Sequence, residues 1–178
     1  MIFVYDRNLL DLTITKDLAD KIQTTGFSSL TDMEKQQWQY GLKGTLNYTD
    51  LNRIEGNSME LAQMVGVSID APKTNWSMTD IPTQRDFRRI RDNVQKIRSS
   101  NYVHYDTPST PELPLNRYEK INDIEKILFD VYDMYTRNMA AIYYVGEIWD
   151  EVELFNLMNE KNIDYIDEIW IDEEIGVI

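Results

Sequence analysis

The sequence predicts an all-α fold, a bundle of about five helices, and three observations predict it. Tyr48-Thr49-Asp50-Leu51-Asn52-Arg53-Ile54-Glu55 returns as Tyr118-Glu119-Lys120-Ile121-Asn122-Asp123-Ile124-Glu125, with Tyr, an aliphatic, Asn, Ile and Glu in the same order. Positions 0, 3, 4 and 7 share one face of an α-helix, so each copy carries one half-polar stripe. Apolar residues recur at helical spacing in the other long segments, several of which open on capping patterns. A β-type run is confined to Ile2-Phe3-Val4-Tyr5, which predicts at most a short N-terminal strand.

Taken in order, Thr13 or Thr15 is placed to cap a first helix that turns Leu18, Ala19 and Ile22 inward until Gly26 stops it. Leu30-Thr31-Asp32-Met33-Glu34 is a capping-box pattern, and it predicts a short helix through Trp38 ending near Gly41 and Gly44. The first copy of the repeat follows to Val65, before Gly66, with Ser58 and Ala62 small enough to admit a bulky neighbour. Residues 67–82 lack periodicity and contain Pro72, Asn75 and Pro82; a loop anchored by Trp76 is expected. Thr83 and Asp86 cap the next helix, with Phe87, Ile90, Val94 and Ile97 on one face. Pro108, Pro111 and Pro114 then mark an extended connection. Asn116 and Glu119 precede the second copy, whose 3-4 stripe of Tyr118, Ile121, Glu125, Leu128, Tyr132, Tyr135, Met139 and Ile142 predicts a long helix to about Gly146.

A chain of 178 residues, 42% hydrophobic, can bury a core in one domain with extensions. It has no Cys, which removes disulfides and thiolate chemistry, and neither a basic-then-apolar leader nor an apolar run long enough to span a bilayer. The formal charge of −13 opposes nucleic-acid binding and favours a neutral or cationic partner. Most of the charge lies in one place: residues 147–178 hold eleven acids and a single Lys. The organisation expected is a nearly balanced module over 1–146, with repeat helices at 48–65 and 118–142, and an acidic C-terminal arm over 147–178.

Catalytic signatures are sparse. Glu55 and Glu125 could in principle pair as acid and base, or hold a metal, as carboxylates do in glycosidases and di-iron bundles. The Glu-x-x-His spacing of the latter is missing, since His104 stands in the Pro-rich connection. The favoured expectation is a structural polar network of Tyr48, Asn52, Glu55, Tyr118, Asn122 and Glu125, completed by a neighbouring Arg. There is no phosphate-binding Gly loop and no nucleophile elbow, so no enzyme, no catalytic residue, no metal and no cofactor is expected. Arg85, Arg88, Arg89, Arg91, Lys96 and Arg98 form a basic cluster that reads as a solvated helix face or a receiver for an acidic segment. Tyr102, His104 and Tyr105 read as a surface anchor, with an aromatic platform for sugar or peptide as the alternative. In the arm, Ile166, Ile169, Trp170 and Ile171 are hydrophobic anchors in an acidic context, suited to a partner interface or to self-docking.

Several motifs together carry a resemblance. They are Phe3-Val4-Tyr5-Asp6-Arg7, Gly41-Leu42-Lys43-Gly44 leading into Asn47-Tyr48-Thr49-Asp50-Leu51-Asn52-Arg53-Ile54-Glu55, and Trp76-Ser77-Met78-Thr79-Asp80-Ile81-Pro82-Thr83. Asn93-Val94, Thr110-Pro111-Glu112-Leu113-Pro114 and Asn116-Arg117 before Asn122-Asp123-Ile124-Glu125 complete them. Over residues 1–146 the chain resembles a helical module of phage and prophage structural proteins of Firmicutes, typically tail, baseplate or fibre-associated minor proteins. The resemblance implies a virion component made in the bacterial host cytoplasm, an adaptor or decorating protein with no catalytic residues, whose partners are other tail or baseplate proteins. A cell-wall or carbohydrate-binding module at the tail tip, contacting host cell-wall glycan, is the alternative it leaves, and a glycosidase-like enzyme using Glu55 and Glu125 is the third. Neither nucleic acid nor membrane is an expected partner.

Overall fold

The computed structural model describes residues 1–100 and 103–150, the last nine as helix backbone alone. Among the described residues the fold is all-α, with five α-helices: α1 (Leu9–Thr25), α2 (Asp32–Tyr40), α3 (Tyr48–Met64), α4 (Gln84–Ser99) and α5 (Tyr118–Asp150). Two compact units divide the chain, Met1–Tyr135 and Thr136–Ile178, with the division falling inside α5.

Each of the first four helices starts on a side chain that spares its first N–H groups from going unpaired. Capping boxes stand at Asn8/Asp11, Thr31/Glu34, Asn47/Asp50 and Thr83/Asp86. α1 therefore begins at Leu9, earlier than a Thr13 or Thr15 cap would place it. The two threonine hydroxyls instead donate back to the carbonyls of Leu9 and Asp11, each at 2.9 Å, as threonines inside a helix do. The run Ile2–Tyr5 is not a strand: among the described residues there is none, and this segment is tied down by helix side chains rather than by a ladder.

Within residues 1–135, α3, α4 and α5 enclose the main core. Leu51, Ile54 and Leu61 of α3 meet Ile90, Val94 and Ile97 of α4, and Ile121, Ile124, Ile127, Leu128 and Val131 of α5 complete it. Trp76, 5% exposed, plugs it from the loop between α3 and α4. A separate, smaller cluster of Leu18, Leu30 and Leu42 holds α1 to the segment around α2, and the Lys21–Glu34 ion pair at 2.8 Å reinforces it.

Two glycines have opposite reasons to be there. A Cβ on Gly44 would lie 2.2 Å from the backbone oxygen of Asp11, so only glycine lets this turn touch α1. Gly56, inside α3, has open space where a Cβ would sit. Gly56→Ala should therefore raise stability by about 0.5–1 kcal/mol through helix propensity. Gly44→Ala should lower it by about 1–3 kcal/mol through the backbone clash. Denaturant midpoints at unchanged m-values check both.

Glu34 gives this region a pH dependence. The Lys21 ammonium and the Thr31 N–H and hydroxyl stabilise its carboxylate and hold its pKa down at about 2 against an ordinary 4.5. A depressed acid contributes stability above its unfolded value and loses it as pH falls through the folded one. The protection of α2 amides, taken relative to their intrinsic exchange at each pH, should thus fall between about pH 4.5 and 2, and Glu34→Gln should remove that dependence.

Candidate functional site: three helix-to-chain clasps

The repeated Asn-x-x-Glu does the same physical work in both copies. Asn52, one turn into α3, accepts from the Trp76 N–H at 2.7 Å and donates to the Trp76 carbonyl at 2.9 Å. Glu55, three residues on, accepts from the Trp76 indole N–H and from the Lys73 N–H, both at 2.8 Å. In α5, Asn122 accepts from the Arg7 N–H at 3.2 Å and donates to the Arg7 carbonyl at 2.8 Å. Glu125 accepts from the Arg7 guanidinium at 3.0 Å and from the Val4 N–H at 2.7 Å. In each copy the Asn grips both backbone groups of one residue in an extended segment. The Glu takes that residue's side chain and the N–H three residues earlier. An isolated segment has no ladder to satisfy its backbone, and these side chains supply the missing partners.

An arginine from an adjoining helix closes each clasp. Arg89 of α4 donates to Glu55 at 2.8 Å. Arg53 of α3 donates to Glu125 through Nε at 3.1 Å and Nη2 at 2.7 Å, in a fork. Asp50 joins the second clasp, accepting from Arg7 at 3.0 Å and Arg53 at 2.6 Å. Two cations and two anions thus sit together, with the Arg7 and Glu125 side chains 2% and 0% exposed. Burial opposes the charge on Arg53, yet the hydrogen bond to Glu125 and the charges of Glu125 and Asp50 outweigh it and raise its pKa above the ordinary arginine value.

A third clasp lies on α4 in the same spacing with the charge reversed. Asn93 accepts from the Asp70 N–H at 2.9 Å and donates to its carbonyl at 2.8 Å, while Lys96, three residues on, reaches the Asp70 carboxylate at 3.3 Å. The loop between α3 and α4 is thereby pinned at Asp70, Lys73 and Trp76. A fourth Asn-x-x-Glu, Asn57 and Glu60, is used in part: Asn57 donates to the Ile2 carbonyl at 2.7 Å.

The structure therefore divides the six residues expected in one network. Asn52 and Glu55 serve the α3–α4 loop, Asn122 and Glu125 serve the N-terminal segment, and the two carboxylates share no partner. The Tyr48 side chain packs against the main core. Tyr118 bonds Glu119, and partial burial together with that carboxylate raises its phenol pKa. Arg7, Asp50, Arg53, Arg89 and the Asn93/Lys96 pair are the members that the repeat alone does not disclose.

The remaining candidates are dispersed. Of the basic cluster, Arg89 is spent on Glu55, Arg91 pairs with Asp92, Lys96 with Asp70, and Arg98 donates to the Thr107 and Pro108 carbonyls. Arg85 and Arg88 face solvent. His104 bonds Asp106 at 2.6 Å and stacks 5.0 Å from Tyr105, which is 94% exposed; Tyr102 lies outside the described residues. The anchors Ile166, Ile169, Trp170 and Ile171 also lie outside them. Two open furrows, about 550 and 410 Å³, meet at Leu46 and Pro82, and neither is lined by Glu55 or Glu125. Among the described residues no acidic or His group of three is placed to hold a metal, and no helix is long and apolar enough to cross a membrane.

These side chains hold the chain's own extended segments. Glu125 receives four hydrogen bonds and Glu55 three, and both side chains are sealed from water. Comparison with protein families, curated proteins and solved structures finds no match to this chain.

Truncating the clasps should be costly in a definite order. Glu125→Gln leaves the buried Arg7 guanidinium and the half-buried Arg53 with Asp50 alone and should cost about 3–5 kcal/mol. Glu55→Gln should cost less, about 1–3 kcal/mol, because its one arginine, Arg89, is half-buried, whereas Glu125 also holds the sealed Arg7. Equilibrium unfolding of the two variants gives the ranking; equal losses would mean that the four-charge cluster is not the dominant joint.

Proposed function

We propose that this chain is a structural component of a phage virion, an adaptor or decorating protein of the tail or baseplate that attaches through its acidic C-terminal arm. The observation that carries this reading is where the polar chemistry is spent. The buried Asn, Glu and Arg side chains fix the chain's own extended segments, which makes residues 1–135 a braced mount. The resemblance over residues 1–146 supplies the virion context. In this reading other tail or baseplate proteins are the partners, and the arm's charge steers it to a basic surface while Ile166, Ile169, Trp170 and Ile171 supply the desolvated contact.

The direct test is imaging of intact particles with this chain tagged: density at the tail or baseplate supports the proposal, and absence from particles overturns it. On particles lacking the protein, added salt should mainly slow rebinding, since exposed charges are screened beyond a Debye length of about 8 Å. Trp170→Ala should mainly speed release. Hydrolysis of a cell-wall glycan, lost in Glu125→Gln at unchanged stability, would replace this reading with the enzymatic one.

A further inference from the structure

Between Arg7 and Asn47 the chain leaves the main body and returns to it. Arg7 is fixed by Asn122 at both backbone groups, and Asn47 caps α3 in a box with Asp50. The Arg7–Asp50 ion pair, at 3.0 Å, ties the points of departure and return together. Residues 9–42 carry α1 and α2. Among the described residues no hydrogen bond or ion pair joins them to residues 46–131; their polar partners lie within residues 6–45. Their apolar packing is also their own. Leu18, Leu30 and Leu42, with Ile22 against them, form the small cluster, and the main core and the apolar side chains packed on it draw none from residues 9–42.

Where the two parts face one another the furrows of about 550 and 410 Å³ run between them. Leu12, Ala19 and Trp38 stand on one side of this seam, and Leu46, Pro82 and Phe87 on the other. Polar and close contacts gather instead at a foot, where the chain starts α1 and where it comes back. Lys43 pairs with Asp6 at 2.8 Å and reaches Asp11 at 3.7 Å, and Gly44 lies against the Asp11 carbonyl.

We infer that residues 9–42 are a hinged flap, a small body with its own cluster that swings about the foot at Asn8 and Lys43–Thr45 and so opens and closes the apolar seam. The swing breaks no ion pair and strands no backbone group; its cost is the apolar surface exchanged with water along the seam. Rotation of this kind is absorbed by a few residues at element ends, here the extended Asn8 before α1 and the residues between Leu42 and Asn47. The ion cluster of Arg7, Asp50, Arg53 and Glu125 lies on the fixed side of the pivot and keeps its partners throughout. Closure buries Leu12 and Trp38 against the opposite wall, and opening returns them to water. The flap follows from these contacts whether or not the chain is a virion component.

Because the chain has no Cys, spin labels attach only where cysteines are placed. Three pairs at exposed positions of the full chain are compared by pulsed electron resonance. Met33→Cys with Arg85→Cys spans flap and body, Gln23→Cys with Met33→Cys lies within the flap, and Glu60→Cys with Arg85→Cys lies within the body. The expected result is a distance distribution broader for the spanning pair than for either control. A spanning pair as narrow as the controls overturns the hinge, and a control as broad as the spanning pair overturns the division into two bodies. Leu30→Ala gives a second measurement, since Leu30 belongs to the small cluster alone. Amide protection in α1 and α2 should fall about tenfold or more while α3 and α4 keep theirs. Protection lost equally in α3 and α4, or lost in no helix, overturns the inference.

Discussion

The structure of residues 1–135 turns on the ion cluster of Arg7, Asp50, Arg53 and Glu125. Placing four charges out of water costs several kcal/mol apiece, and is tolerable here because they sum to zero and the carboxylates accept from every side. The cluster joins three parts of the chain that are distant in sequence: the N-terminal segment, α3 and α5. A slip of one residue in the N-terminal segment would strand the guanidinium against apolar walls and leave both acids short of a cation. The cluster therefore sets register, and the apolar residues of the core supply the bulk of the burial around it.

The loop between α3 and α4 shows how such a fold manages without strands. Fifteen or more residues without helix or ladder would normally leave backbone groups unpaired. Here Asp70, Lys73 and Trp76 are each caught at the backbone by a helix side chain. The Trp76 indole then does two jobs, filling the core and donating to Glu55. The helices thus act as templates for irregular chain, a role more often taken by a sheet edge.

What the sequence discloses follows from the range over which periodicity carries information. Helix spacing relates residues within four or seven positions of one another, so the Asn and Glu of each repeat could be placed on one stripe and read as structural. The partners of the two asparagines are backbone groups 24 and 115 residues away, to which spacing is blind. Trp76 was visible as a large apolar residue in a polar loop, whereas Arg7 followed an apolar run that resembled a strand. The third clasp is not legible in the repeat because Lys96 stands where the repeat has Glu, so a difference of letters conceals a likeness of geometry. The early start of α1 is legible in Asn8-Leu9-Leu10-Asp11, a capping box as sound as that at Thr31 but overshadowed by two later threonines.

The reversed polarity of that third clasp also keys the joints against one another. Had all three helices offered Asn followed by Glu, any extended stretch with a donor side chain could have settled on any of them. As built, Asp70 set against Glu55 or Glu125 would bring two buried acids together, and Arg7 set against Lys96 two cations. The reversal thus sets the α4 joint apart from the other two: Asp70 at a glutamate clasp, or Arg7 at the lysine one, would meet a like charge.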